Sequence, residues 1–351
     1  MRSATDWVSS LSPWPEEFGL GRMLELLACL DHPERDYPSI HVVGTNGKTT
    51  ATRTIAALLR AEGLRVGAYT SPHVSGWHER LDTDPQTFEE AIERVRVPAE
   101  AVGATQFEVL TAAALAEFAS AGVDVAVVEA GLGGRLDATN VLDAPVVHLT
   151  NVALEHTDVL GDTREAIARE KLAVVGPDAV VVLGEPEWTR LLPGHDVRIG
   201  GAREAAEAFL GRPIEQEVEV RVPGRFEWRS GSELWDGAHT PEAADWLLAR
   251  LPQRDWTVIC SILRDKRVDE LLTRFARAGR TLIATRSSND RALPADELAR
   301  RARPYFEHIE VEPDPTRALE RARGRGPTLV TGSLYLLADL ASERRPAPAH
   351  A

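Results

Sequence analysis

The chain contains 351 residues, of which 43% are apolar and 27% are charged, and its formal net charge at pH 7 is -14. This length favours two domains, each of which can bury a core of its own. The negative charge argues against nucleic acid or an anionic membrane surface as the main partner. A phosphate-binding site in this protein must therefore be built from a few local cations.

Cysteine usage and the N-terminal segment restrict the class of protein further. The two cysteines, Cys29 and Cys260, fall in a predicted helix and a predicted strand, so neither a disulfide framework nor a structural zinc site is expected. The first twenty residues include Asp6, Glu16 and Glu17 and hold no apolar run long enough for a signal peptide or a membrane span. We therefore expect a cytoplasmic protein that binds neither nucleic acid nor membrane.

Apolar runs that end in Gly, Asn or Asp alternate with longer helical stretches along the chain. Strands are predicted at 39–43, 66–70, 123–129, 144–150, 178–183, 216–222, 233–236, 256–262, 281–285 and 328–331. Helices are predicted at 15–30, 48–62, 106–121, 163–175, 241–251, 267–278, 294–302, 314–323 and 333–341. This alternation is typical of an α/β fold with a doubly wound, mostly parallel sheet.

The predicted domain boundary lies near residue 230, where prolines and glycines between 222 and 232 interrupt the pattern. An N-terminal domain is expected over residues 1–230, and a smaller C-terminal α/β domain over 231–342. The tail at 343–351 is predicted to be disordered because of its biased composition. Ligands of such folds bind at the carboxyl ends of strands, where the candidate residues below lie.

The candidate phosphate loop follows the first predicted strand, in the sequence IHVVGTNGKTT. Backbone N–H groups, a helix N-terminus and the Lys48 ammonium surround one point there, which suits a triphosphate, and a threonine hydroxyl can bind its magnesium ion. Only two residues separate the glycines, fewer than in the usual nucleotide-binding pattern, so a tight turn with a solvated lysine is the alternative. The loop consists of Gly44, Thr45, Asn46, Gly47, Lys48, Thr49 and Thr50.

Glu129 ends the apolar strand predicted at 123–129 and precedes the glycine-rich sequence GLGGRLDATN. A carboxylate at the end of a buried strand needs a positive partner, because its desolvation costs on the order of several kcal/mol. The residues alone leave two partners open. One is Arg135 in the same loop, and the other is a magnesium ion.

His156 and Lys171 follow the next predicted strand. A loop histidine such as His156 is either a solvated or structural residue or part of the same cleft. In the helix that follows, Ile167, Lys171 and Val174 share one face by their i, i+4 and i+3 spacing. Lys171 can snorkel to solvent, or it can be buried as a neutral amine that reacts with carbon dioxide to form a metal-binding carbamate.

Polar turns also follow the predicted strands of the C-terminal half. Asp236 and His239 lie in the sequence WDGAHT, where they can bind a ribose, position an amine or cap the next helix. Asp265 and Lys266 occupy a similar turn, and Ser333 begins the last predicted helix, where an N-cap is the simplest role. Together these turns line one edge of a second α/β domain.

These motifs resemble those of folylpolyglutamate synthase and dihydrofolate synthase, which belong to the Mur ligase superfamily. The matching strings run in the family's order from about residue 19 to residue 340, and they include IHVVGTNGKTT, TSPHVSGWHERL, VVEAGLGGRLDATN, LEHTDVLGDTREAIAREK, PGRFE, WDGAHTPEAA and TGSLYLLADL. The resemblance implies an N-terminal P-loop ATP-binding domain with a central, mostly parallel sheet and a smaller C-terminal Rossmann-like α/β domain. It also explains the short phosphate loop, which is the form that this family uses.

The resemblance implies an ATP-dependent ligase that adds L-glutamate to dihydropteroate, to reduced folates or to both, through an acyl phosphate, and that acts as a monomer. ATP and Mg²⁺, with two metal sites, are the implied cofactors. The positions that match metal-binding residues are Thr49, Ser71, Glu129, His156 and Lys171, and the family carbamylates the lysine at the last of these. The positions that match catalytic residues are Lys48, His156, Lys171 and His239. Those that match nucleotide-binding residues outside the phosphate loop are Arg225 and Asp236, and those toward the substrates are Arg80, Asp236, His239 and Ser333.

The chain departs from the family's pattern at three positions. It has His78 and Thr240 where asparagine is usual, and Glu155 where aspartate is usual. Thr240 matters most, because it removes an amide beside the nucleotide and glutamate positions. Because of the departures at Thr240 and His78, a catalytically impaired nucleotide-binding regulator stays open as an alternative. A Mur-type ligase for another carboxylate substrate is the alternative within the class, and the string GLGGRLDATN argues against it.

Overall fold

The structure is a computed structural model that describes residues 3–13, 15 and 17–342. The tail that we predicted to be disordered, 343–351, lies outside the described residues. No helix within the described ranges is both long and apolar enough to span a membrane.

The chain forms two compact units. The first contains the chain up to Ser71 together with Trp77–Val220, and the second contains Pro72–Gly76 together with the chain from Arg221 onwards. The division between the units lies upstream of the boundary that the sequence predicted at 230.

The first unit contains a six-stranded sheet in which all strands are parallel, in the order β2-β3-β1-β4-β5-β6. Its strands are β1 (Ser39–Val43), β2 (Val66–Tyr69), β3 (Val125–Glu129), β4 (Val146–Leu149), β5 (Val180–Leu183) and β6 (Val197–Ile199). Because β1 lies between β3 and β4, the loops that follow these three strands lie side by side at the carboxyl edge of the sheet.

Helices cover both faces of this sheet, which is why its central strands are apolar on both sides. Ile40 of β1 packs with Ile55 and Ala205 on one face, and Val43 packs with Ile167 on the other. The helices of this unit are α1 (Ala4–Ser10), α2 (Gly21–Cys29), α3 (Lys48–Ala61), α4 (Pro85–Val102), α5 (Gln106–Ala121), α6 (Thr157–Leu160), α7 (Arg164–Lys171) and α8 (Ala202–Leu210).

The second unit contains a mixed six-stranded sheet in the order β11-β10-β9-β12-β8-β7, in which only β7 is antiparallel to its neighbour. Its strands are β7 (Glu227–Ser230), β8 (Glu233–Trp235), β9 (Thr257–Cys260), β10 (Thr281–Ala284), β11 (His308–Val311) and β12 (Thr328–Thr331). Its helices are α9 (Pro241–Arg250), α10 (Val268–Phe275), α11 (Ala295–Ala302), α12 (Pro315–Ala322) and α13 (Leu334–Ser342). Val74 is buried in this unit's core with Trp235 and Leu337, so the segment Pro72–Gly76 belongs to it.

Two α/β units with sheets dominated by parallel strands confirm the predicted fold class. The predicted strands occur with small shifts at their ends, except that the strand predicted at 216–222 is wrong. Alternating Glu and Val residues predicted a half-buried strand there. Instead, the carbonyls of Ile214 and Gln216 accept hydrogen bonds from the side chain of Arg203, and only Val222 makes a β-bridge.

Several elements were not predicted, and one helix is shorter than expected. The helix predicted at 15–30 begins only at Gly21, two residues after Gly19, and glycine disfavours a helix interior. The largest unpredicted element is α4, which Asp84 caps by accepting hydrogen bonds from two backbone N–H groups. Its apolar residues have helical spacing, but Pro98 lies inside it, and an internal proline usually ends a helix. The other unpredicted elements are α1, α6, α8, β6, β7 and β11.

Candidate nucleotide and metal site

The phosphate loop connects the end of β1 to the first turn of α3. Gly44 and Gly47 have φ angles of 146° and 82°, a region that favours glycine. A Cβ atom on Gly44 would lie 1.9 Å from Thr150 Oγ1, so this position also has no room for a side chain. No side chain caps the α3 N-terminus in the described residues. Its backbone dipole therefore favours an anion at this point.

The segment 150–153, which follows β4, holds the phosphate loop in place. The carbonyl oxygen of Asn151 accepts a hydrogen bond from Thr45 N at 2.9 Å, and its Oδ1 accepts one from Asn46 N at 3.0 Å. Thr150 Oγ1 donates to the carbonyl of Asn46 at 2.8 Å, and Ala153 N donates to Thr45 Oγ1 at 3.0 Å. This role of Asn151 was not predicted from the sequence. Its only signal was a polar amide directly after a buried strand and its threonine.

Two lysine side chains converge on one carbonyl of the phosphate loop. Lys48 Nζ lies 3.1 Å from the carbonyl oxygen of Gly44, and Lys171 Nζ lies 2.8 Å from the same oxygen. Lys171 does not snorkel to solvent, since only 4% of it is exposed. Burial, together with the nearby Lys48 charge, lowers the pKa of Lys171 to about 7. A neutral amine is therefore readily populated at this position.

Glu129 lies at the end of β3 and is buried, with 2% exposure. Its Oε1 accepts a hydrogen bond from Thr49 Oγ1, and its Oε2 accepts one from Ser71 N, each at 3.0 Å. Arg135, one of the two partners considered from the sequence, donates its Nε to Glu170 instead. Thr49 is buried and Thr50 is exposed, so Thr49 is the threonine that reaches this carboxylate.

The donor set around Glu129 fits magnesium bound together with a phosphate ligand. Within the described ranges, no three His, Cys, Asp or Glu side chains form a metal-binding group. Mg²⁺ commonly uses one or two carboxylates and takes its other ligands from water and substrate phosphates. Glu129 supplies the carboxylate, and the hydroxyl of Thr49 lies beside it.

His156 is exposed at the surface of the first unit. It has a left-handed backbone conformation, with φ 50°, directly before α6. Its Nε2 lies 3.7 Å from Glu155 Oε1, and the Glu155 charge acts to raise the pKa of Lys171 against the larger effects of burial and Lys48. Glu155 is the position where the family usually has aspartate. Glu155 thus interacts electrostatically with both His156 and Lys171.

Arg80, the predicted substrate residue of the first unit, lies in the 3-10 helix Trp77–Leu81. Its guanidinium is 5.4 Å from the centre of the Trp77 ring and hydrogen bonds to the hydroxyl of Tyr69. Burial raises the pKa of Tyr69 to about 12, so its hydroxyl stays protonated. Arg80 is therefore held by two aromatic side chains.

In the second unit, Asp236 is buried at the end of β8. Its carboxylate accepts hydrogen bonds from Phe226 N and Ala238 N, each at 2.8 Å. Burial raises the pKa of Asp236, and the charge of Arg225 opposes that rise. His239 Nδ1 lies 2.7 Å from the carbonyl oxygen of Gly237.

The strand order of the second sheet brings Asp236 and Ser333 to neighbouring positions, because β8 and β12 are adjacent. Ser333 Oγ accepts a hydrogen bond from Tyr335 N at 3.2 Å, and Thr240 Oγ1 caps α9 by accepting one from Ala243 N. Both hydroxyls therefore act as helix caps here.

Residues 42–190 match the Mur ligase middle domain, and residues 224–334 match the Mur ligase glutamate ligase domain. The chain is 31% identical to the dihydrofolate synthase/folylpolyglutamate synthase of Mycobacterium tuberculosis, over 88% of this chain and 82% of that protein. It belongs to this family of Mur ligases. The family, the fold class and the ligase class predicted from the sequence are confirmed.

Solved structures of family members are similar over nearly their whole length. Escherichia coli FolC in complex with DHPP and ADP has a TM-score of 0.85 and 26% identity, and the match covers 97% of each chain. A bifunctional folylpolyglutamate synthase/dihydrofolate synthase with Mn, AMPPNP and L-glutamate bound has a TM-score of 0.85 and 27% identity, and the match covers 98% of each chain. The comparison extends the family relationship to both units.

Proposed function

We propose that this member of the family uses ATP and Mg²⁺ to join L-glutamate to dihydropteroate, to reduced folates or to both. The observation that carries the proposal is the phosphate loop at the uncapped N-terminus of α3, where Lys48 Nζ lies 3.1 Å from the Gly44 carbonyl oxygen. In a chain with a net charge of -14, this is a local positive site of the kind that a triphosphate needs. The relatives that bind ADP or AMPPNP support the same assignment.

The buried carboxylate would hold the magnesium ion. Glu129 would bind it together with the hydroxyls of Thr49 and Ser71, and His156 and Lys171 would serve a second site. When bound, the metal supplies positive charge to the phosphate oxygens. The ammonium of Lys48 adds charge at the outer phosphates, and the loop N–H groups orient the triphosphate.

The reaction needs this positive charge because a substrate carboxylate must approach the γ-phosphate of ATP. Two like unit charges about 4 Å apart repel by about 4 kcal/mol at an effective dielectric constant of 20. The carboxylate oxygen bonds to phosphorus as the bond to ADP breaks, which gives an acyl phosphate. The amine of L-glutamate then attacks the acyl carbon, loses a proton and displaces phosphate, which forms the amide. In the second unit, Asp236, His239 and Ser333 would hold glutamate, and Arg225 with Asp236 would contact the nucleotide.

Lys171 would act as a carbamate. Its neutral amine would add to carbon dioxide and release one proton, which converts a neutral group into an anion beside the phosphate loop. Burial of the amine and the lowering of its pKa to about 7 support this proposal, because only the neutral amine reacts.

We also propose that the protein acts as a monomer in the cytoplasm. Cys29 and Cys260 are both free, which suits a reducing compartment.

A phosphate-release assay tests the function. Wild-type protein with ATP and Mg²⁺ is offered dihydropteroate or tetrahydrofolate, each with and without L-glutamate, and the mass of the product gives the number of glutamates added. We expect phosphate only when an acceptor and glutamate are both present. If neither dihydropteroate nor tetrahydrofolate gives phosphate release in the presence of glutamate, the proposal is contradicted. A ligase for another carboxylate, or a nucleotide-binding regulator, would then remain.

Lys48→Ala should lower turnover in this assay by more than about a hundredfold, because one donor of a preorganised charge site is commonly worth that much. Arg60→Ala in the same helix is the control, since Arg60 pairs with Asp82 at the surface. Circular dichroism should show that both variants are folded. Turnover near the wild-type value for Lys48→Ala would exclude this phosphate site.

A further inference from the structure

We propose that Arg164 and Glu185 are positioning residues that set the affinity for nucleotide by clamping the backbone of Val152. The proposal rests on the proposed function, because it assumes that the phosphate loop binds ATP. Neither residue was singled out as a candidate from the sequence. With Trp188, they form a group that we name the Val152 clamp.

The clamp holds both backbone polar groups of Val152. Glu185 Oε2 accepts a hydrogen bond from Val152 N at 3.0 Å, and Arg164 Nε donates to the carbonyl of Val152 at 2.9 Å. Arg164 Nη2 also donates to both carboxylate oxygens of Glu185, at 3.0 and 3.1 Å. The two paired side chains thus hold both the N–H and the carbonyl of Val152 with charge-assisted hydrogen bonds.

Trp188 contacts both Arg164 and Glu185 of the clamp. It is buried, with 3% exposure, and its Nε1 donates to Glu185 Oε2 at 2.8 Å. The guanidinium of Arg164 lies 5.2 Å from the centre of the Trp188 ring, a distance at which a cation is attracted to the ring face. The orientation of Arg164 and Glu185 is therefore defined although both are partly exposed.

Val152 lies within the segment that holds the phosphate loop. Its neighbours Asn151 and Ala153 hydrogen bond to Thr45, and Asn151 also hydrogen bonds to Asn46. A change in the position of Val152 therefore displaces the contacts that shape the loop. The clamp residues themselves make no hydrogen bond to the loop in the described structure, so their effect must pass through this segment.

Arg190 provides a matched control on the same tryptophan. Its guanidinium lies 5.9 Å from the centre of the Trp188 ring, but its Nη2 donates to Glu165 at 2.8 Å rather than to the clamp. Both arginines are partly exposed, and both lie over one ring and pair with a carboxylate. Arg164 also pairs with Glu187 at 2.8 Å, and of these two arginines Arg164 is the one that holds Val152.

The test is calorimetric titration of ADP with Mg²⁺ into the full chain, for wild type, Arg164→Gln, Arg164→Lys, Glu185→Gln and Arg190→Gln. Loss of a charged hydrogen-bond partner should weaken ADP binding on the order of tenfold in Arg164→Gln and several-fold in Glu185→Gln. Arg164→Lys keeps one donor for the Val152 carbonyl and should recover part of the loss. Arg190→Gln should bind as wild type does.

Steady-state kinetics separates positioning from loss of fold. In Arg164→Gln, the KM for ATP should rise on the order of tenfold, while kcat at saturating ATP and the KM for glutamate change by less than about twofold. A destabilised enzyme would instead lose kcat through its unfolded fraction.

The outcomes distinguish this inference from the proposed function. If folded Arg164→Gln binds ADP as wild type does, or if Arg190→Gln weakens binding equally, the clamp has no specific role and the proposed function stands. If wild type itself binds no ADP, both the proposed function and the clamp are overturned.

Discussion

Lysine is rare in this chain, and its placement is informative at the scale of single residues. The sequence contains only Lys48, Lys171 and Lys266, against many arginines. Two of the three donate to the same carbonyl oxygen of Gly44. Arginine cannot lose its proton in a protein, whereas a buried lysine can. The chain therefore has a titratable amine where the phosphate loop begins.

Carbamylation of Lys171 can be observed directly because there are so few lysines. In ¹³C-labelled bicarbonate at about pH 8, we expect one carbamate carbon signal from the folded protein, since burial lowers the pKa of Lys171 to about 7. Arginine keeps the positive charge of lysine but cannot lose its proton. Lys171→Arg should therefore lose the signal, while Lys266→Arg retains it. A signal that persists in Lys171→Arg would place the carbamate elsewhere.

His41 should make the stability of the protein sensitive to mild acid. It is buried in β1, its Nε2 lies 2.8 Å from Thr139 Oγ1, and burial lowers its pKa from 6.5 to about 4. Between these pKa values the unfolded chain binds a proton that the folded chain does not bind. The free energy of unfolding therefore falls as the pH drops from 6.5 to 4, by up to about 3 kcal/mol from this residue.

Urea unfolding of wild type and His41→Gln across that pH range measures the effect. The wild type should lose more stability on acidification than the variant does. His308→Gln, at an exposed histidine of β11, controls for the loss of one imidazole. Parallel pH dependence in wild type and His41→Gln would contradict the assignment.

At the scale of elements, the sequence predicted the central strands and missed most of the edge strands. The edges of the two sheets are β2 and β6 in the first, and β7 and β11 in the second. All but β2 were missed, because an edge strand is partly exposed and has no continuous apolar run, as in EWRS of β7 and HIEV of β11. Strands buried on both faces carry a stronger signal.

The candidate site shows the same division between local and long-range information. That Lys48 and Glu129 lie near the carboxyl ends of buried strands could be read from the sequence, since Glu129 ends an apolar run and Lys48 follows one after the turn GTNG. That Glu129 accepts from Thr49 and Ser71, and that Asn151 holds the phosphate loop, could not. Those partners are far apart in the chain, and they meet only because β3 lies between β2 and β1, and β4 lies on the other side of β1.

The close approach between the ends of β4 and β5 predicts the effect of a small substitution. A Cβ atom on Gly184 would lie 2.0 Å from the carbonyl oxygen of Thr150, and that backbone atom cannot move without displacing the segment 150–153. Gly184→Ala should lower the free energy of unfolding by about 1–3 kcal/mol and should also weaken ADP binding. Urea unfolding measures the change in the free energy of unfolding, and calorimetric titration measures the change in ADP affinity.

Gly21→Ala is the control for this substitution. A Cβ atom at Gly21 meets no atom within 4 Å, and the residue begins α2, where alanine is a better helix former than glycine. Its stability should be equal to that of wild type or greater, with unchanged ADP binding. Equal effects of the two alanines would show that the contact with Thr150 is not the cause.

At the scale of the whole molecule, the groups that we propose to bind the triphosphate and its metal lie in one of the two units. Lys48, Glu129 and Lys171 belong to the first unit, which has hydrophobic clusters separate from those of the second. The net charge of -14 repels free nucleotide from the rest of the surface. Specific binding of nucleotide should therefore stabilise the first unit through the phosphate loop.

Thermal unfolding with and without ligand tests this coupling. ADP and Mg²⁺ at about 100 times their Kd should raise the free energy of unfolding of the first unit by about 2.7 kcal/mol, which corresponds to roughly 5–10 °C in Tm for a unit of this size. Lys48→Ala should lose most of the rise, because it removes a donor from the loop, and Arg60→Ala should keep it. An equal rise in Tm for Lys48→Ala and wild type would show that nucleotide binds away from the phosphate loop.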